Sequence, residues 1–146
     1  MEFDDRHVEW LRAMLENRDE EMRRLAANLA ETDDLGPLVP LLHYAFVLAV
    51  RNAFGETFTR SMVIEVVADL RVRLSDTPVS VNAVAAESEI RRALGDPEMP
   101  PLYPDADARR VAQTALLGYL VHDFGLGGSQ VNDLVHQASQ AVAECL

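Results

Sequence analysis

The chain reads as an all-α protein, a compact bundle of about six helices with a long N-terminal helix and two short-linked antiparallel hairpins. Apolar residues recur at spacings of three and four in nearly every segment, and no segment shows the period-two alternation of a half-buried strand. Gly, Pro and capping residues cut the chain into helix-sized pieces. With 146 residues, 49% of them hydrophobic and 25% charged, it has the size and composition of one folded domain spanning 1–146.

The first helix is expected over 4–31, with Asp4 and Asp5 at its positive end. Asp19 with Arg23, and Glu20 with Arg24, support its exposed face as acid-to-base pairs four apart. Val8, Leu11, Leu15, Met22, Leu25 and Leu29 follow a 3-4-3-4 spacing that only Arg18 interrupts, the seam of a coiled coil. At about 1.5 Å per residue this helix is roughly 40 Å long against about 21–27 Å for the others, so part of it overhangs the bundle. An overhanging apolar seam needs a cover, which points to self-association through these six residues.

A helical core follows over 35–94. Thr32, Asp33, Asp34, Gly36 and Pro37 punctuate the entry to a helix over 38–54, which is interrupted only by Pro40, His43 and Tyr44 from Leu38 to Val50 and belongs at the centre of the fold. Phe54-Gly55 ends it, and Thr57 or Thr59 opens a third helix carrying Phe58, Met62, Val63, Val66, Val67, Leu70 and Leu74, antiparallel to the second. Residues 81–94 make a small-residue helix ending at Gly95. The connector 95–104 holds four of the seven prolines and is expected to pack on the surface through Met99, Leu102 and Tyr103. A C-terminal hairpin fills 105–146, with Val111, Ala115, Leu116, Tyr119 and Leu120 inward on its first helix, and Ser129 capping a second that buries Leu134, Val135, Ala138 and Val142.

The formal charge of -11 disfavours a phosphate-backbone binder, which needs a basic surface. All 13 basic residues are arginine, so neither Schiff-base chemistry on lysine nor a complete phosphate-binding loop is available, and Gly125 to Ser129 follows a helix where a dinucleotide loop follows a strand. One cysteine, Cys145, supports neither a disulfide framework nor a thiolate cluster. No basic, apolar leader and no membrane-length apolar run is present, so a cytoplasmic location is expected and no membrane partner.

The chemistry-bearing residues are few. Asp4-x-x-His7 and Asp133-x-x-His136 fall short of the Glu-x-x-His pairs of di-metal bundles, so neither metal nor cofactor is expected. His122, Asp123, Asp133 and His136 offer an acid–base pair if the last hairpin brings them together, although a histidine at a helix C-terminus is also ordinary capping. His43, read as a core histidine needing a hydrogen-bond partner, marks with Tyr44, Phe46 and Tyr119 a candidate pocket for a small apolar ligand.

The leading expectation is therefore a non-enzymatic interaction module of an intracellular bacterial-type protein, which self-associates or docks a protein partner. The alternative is the ligand-binding bundle. Behind these stand a helix-turn-helix over Asn52 to Ser61 and an enzyme using the His/Asp set.

Overall fold

The computed structural model describes residues 3–98, 101–123 and 128–145. All regular structure among them is helical, in seven helices. None is long and apolar enough to cross a membrane.

The segment expected as one helix over 4–31 is two. α1 spans Asp5–Leu15 and α2 spans Asp19–Glu31. Between them Asn17 takes φ +57°, a left-handed conformation that asparagine tolerates better than most residues. Arg18 N–H donates to the Ala13 carbonyl at 2.9 Å and Asn17 N–H to that of Met14, the paired bonds of a Schellman stop. The same closure ends α2, where Asp33 has φ +59°, and a third follows below at Gly95. α2 folds back antiparallel on α1, since Arg6 at the start of α1 reaches Asn28, Thr32 and Asp34 at the end of α2. The seam is thereby consumed within the chain: Leu11, Leu15, Leu25 and Leu29 are buried, Val8 and Met22 are half-buried, and Arg18 is exposed in the elbow. No 40 Å helix exists to overhang.

α3, Leu38–Phe54, is the hub and packs against α1 and against three later helices, α5 (Ala83–Ala93), α6 (Ala106–His122) and α7 (Gly128–Cys145). Leu41, Ala45, Phe46, Ala49 and Val50 are sealed in its interior faces. Gly55 ends it at φ +71° and ψ −163°, an extended exit that carries the chain away. Thr59, capping Met62 N–H, then starts α4 at Arg60–Arg73. The expected hairpin pairing is not found. α4 lies on α5 and α6, and α7 on α3 and α1, because the apolar surface of α3 gathers the later helices onto different faces.

Asn82 caps α5, Ala83–Ala93, whose Ala85, Ala86 and Ala93 let α6 approach closely. α5 stops at Gly95, φ +68°. The connector is then tied to α5: buried Arg91 pairs with Asp96 at 2.7 Å and donates to the Glu98 carbonyl, Ser88 donates to Pro101, and Asn82 donates to Tyr103. Arg91 holds the Asp96 carboxyl below its usual range through that hydrogen bond. Leu102 and Tyr103 lie on the surface as expected, and Met99 falls outside the described residues.

Asp105 caps α6, Ala106–His122, by accepting from Asp107 and Ala108 N–H. Its inward face is rotated from the expected one: Ala112 is buried where Val111 is exposed, and Leu117 and Val121 join Leu116, Tyr119 and Leu120. α7, Gly128–Cys145, buries Leu134, Val135, Ala138 and Val142. Its helical run already includes Ser129, expected as the cap, and residues 124–127 of the Phe-Gly turn lie outside the described residues.

Candidate functional site

The break at Asn17 sets α1 and α2 as a wall beside the first half of α3, and α6 closes the other side. A groove of about 700 Å³ results, within the range of small-molecule sites. α1 contributes Trp10 and Met14, α2 contributes Met22, and α3 contributes Leu38, Val39, Leu42, His43 and Tyr44. α6 supplies the polar edge through Arg109, Arg110 and Gln113. Two methionines and the only tryptophan make a soft, apolar, adaptable wall.

A second hollow of about 530 Å³ adjoins it and shares His43, Tyr44, Arg109 and Gln113. Its character differs. Phe46, Val47 and Leu48 of α3 form one side, while Arg51, Glu89, Arg92, Arg109, Gln113 and Gln137 bring charge and hydrogen-bonding groups from α3, α5, α6 and α7. The Arg51 guanidinium is fixed by donating Nε to the Ala93 carbonyl at 3.0 Å. Arg109 stands between the two hollows with its Nε buried and no acceptor among the described residues. A buried N–H with no partner is uncommon and carries a desolvation cost of about 1–3 kcal/mol.

Of the four expected pocket residues, three gather here. His43 is exposed at the rim, edge-on to Tyr44 with ring centroids 6.0 Å apart, and is not the core histidine read from its apolar helix. Phe46 is buried in the wall. The Tyr44 hydroxyl lies 3.2 Å from Cys145 Sγ, a contact that pushes its ionisation up from the usual value.

Tyr119 lies elsewhere, packed between α4 and α6. Its hydroxyl donates to Asp69 at 2.5 Å, and Arg73, itself paired with Asp69 and Asp123, sits 5.7 Å over the ring. Burial first, and then the bond to Asp69, push the phenol up to about 12 from its ordinary value of 10.0. The folded protein thus holds this proton more tightly than the unfolded chain. Its contribution is complete below pH 10.0 and is lost as pH rises toward about 12. Urea midpoints measured across that interval are expected to fall less steeply for Tyr119→Phe than for the unmodified protein.

The His/Asp set does not assemble. His122, Asp133 and His136 are exposed with no hydrogen bond joining them among the described residues, and the Asp123 carboxylate is taken by Arg73. No group of three or more His, Cys, Asp or Glu suited to a metal occurs among the described residues. Asp4-x-x-His7 is a structural capping box: His7 Nδ1 accepts from Asp4 N–H, and Nε2 donates to the Asp34 carbonyl at 2.7 Å. The Asn52 to Ser61 segment does not fold into a packed helix pair, since α4 leaves α3 for α5 and α6.

Comparison with known protein families, curated proteins and solved structures returns no match. Function is therefore read from the geometry. Glu89 and Arg109 went unseen in the sequence, where each resembles a solvated helix residue; only the stacking of α5 on α6 turns them inward.

Proposed function

We propose that this chain is a ligand-binding helical bundle whose groove takes a small amphipathic molecule, with an apolar body against Trp10, Met14, Met22, Leu38 and Leu42 and a polar end toward Arg109. The observation that carries this reading is the apolar groove itself, which adjoins a polar hollow at Arg109, a residue that lines both. A solid core around His43, Tyr44 and Phe46 would have left no room for such a ligand, and the fold leaves two adjoining hollows there instead.

Trp10 is the only tryptophan and stands in the groove wall, so it reports occupancy directly. Titration with the neutral probe N-phenyl-1-naphthylamine is expected to change Trp10 emission saturably, with one probe bound per chain. Emission that stays flat, or drifts without saturating, would remove this reading.

A second reading, docking of a protein partner, draws on a different surface. Val72, 70% exposed, lies with Val79 and Val111 around the turn after α4, where a hollow of about 410 Å³ opens between Leu74, Val79, Val111 and Ala115. With most of the N-terminal seam buried, this exposed apolar face is the surface offered for such docking.

A further inference from the structure

The polar hollow behind Arg109 contains a second group of opposite character. Glu89, on α5, is only 5% exposed, lines the hollow, and has no hydrogen bond or ion pair among the described residues. Its surroundings are cationic, with Arg51, Arg92 and Arg109 in the same lining, on a chain whose formal net charge is -11. The acidic exterior repels large polyanions, while the hollow itself draws a small group of mixed charge.

Three kinds of head group are distinguished by these residues. A simple carboxylate answers Arg51 and Arg109 and adds a like charge beside Glu89. A simple amine satisfies Glu89 and meets three guanidinium groups. A head carrying both charges leaves neither side unpaired. Resting on the groove reading above, we infer that the polar hollow recognises an α-amino carboxylate head, its carboxylate on Arg51 and Arg109 and its ammonium on Glu89, with the apolar side chain running into the groove beside Trp10. The ligand class is thus an apolar amino acid or a molecule bearing that zwitterionic end. Arg109 does double service, since it lines both hollows and orients the carboxylate at their junction.

The test compares 2-aminooctanoate, octanoate and octylamine by calorimetry on the full chain and on Glu89→Gln, with N-phenyl-1-naphthylamine as a probe of the groove alone. The expected result is 2-aminooctanoate binding about 10-fold or more tighter than either single-charge analogue, one order of magnitude in affinity corresponding to one good charge-assisted contact. In Glu89→Gln, checked for an unchanged far-UV spectrum, that preference over octanoate should vanish while the neutral probe binds as before. Octanoate binding as tightly as 2-aminooctanoate in the unmodified chain overturns the proposal whether or not the variant folds, as does a preference that survives in the folded variant. Binding of the neutral probe without 2-aminooctanoate overturns the head-group assignment and leaves the groove standing. Binding of 2-aminooctanoate without the probe supports the hollow and removes the apolar groove, and silence from both removes the two together.

Discussion

Phe46→Ala is expected to lower the unfolding free energy by about 3–5 kcal/mol, the usual loss for an aromatic ring taken from a closed interior. Phe46 is 1% exposed, sits midway along α3, and belongs to the core cluster that also holds Ile90 of α5, Leu116 and Leu120 of α6, and Leu134 and Ala138 of α7. Because α3 packs against four other helices, a cavity at its midpoint weakens several contacts at once, and the site has little freedom to collapse. Against a typical total of about 5–15 kcal/mol, such a loss leaves a marginal fold. Urea denaturation followed by far-UV circular dichroism reads it directly. A loss under about 1 kcal/mol would mean that the α3 hub is not the keystone of the packing.

His7→Ala is expected to cost about 2–5 kcal/mol, from two backbone groups left unpaired and a cavity. The side chain is 0% exposed, stacks on Phe3 at 5.3 Å, and uses both ring nitrogens: Nδ1 closes the capping box on Asp4 N–H and Nε2 holds the Asp34 carbonyl. Alanine orphans both backbone groups and opens a cavity between α1 and the loop after α2. Arg6, bridging Asp4 and Asp34 from outside, secures the same junction. The companion variant His7→Phe restores bulk and stacking without the hydrogen bonds. It is expected to recover part of the stability and not all of it; full recovery in urea titrations would show that packing alone secures the junction.

Helix content was legible because spacing and caps agree over most of the chain. Asp105, Thr59 and Gly95 each act at the terminus where their chemistry places them. The break after Leu15 was hidden by a coincidence of register. Met22, Leu25 and Leu29 continue the spacing of Val8, Leu11 and Leu15 across the three-residue gap 16–18 between the helices, so hydrophobic period alone joins two helices into one. The polar run Glu16 to Glu21, with an asparagine able to adopt positive φ, was the only local mark of the elbow.

The site was half legible for a related reason. His43 and Tyr44 stood out as polar interruptions of an apolar helix, and they do line the hollows, but the helix wears its histidine at the rim and not in the core. Tyr119 looked equally suitable, yet Asp69 and Arg73, fifty and forty-six residues upstream, claim it in the fold. Trp10, Met14 and Met22 join the site only because the elbow exists. Glu89 and Arg109 join it only because α5 and α6 are packed together, a relation that no local pattern encodes.

The central claim is that the groove between α1, α2, α3 and α6 is a binding site, and residue-resolved NMR titration with N-phenyl-1-naphthylamine tests it most directly. The predicted result is saturable shifts confined to Trp10, Met14, Met22, Leu38, Val39 and Leu42, with Val72, Val79 and Val111 unmoved. Shifts at those three valines with none in the groove, or no saturable shift anywhere, would contradict it.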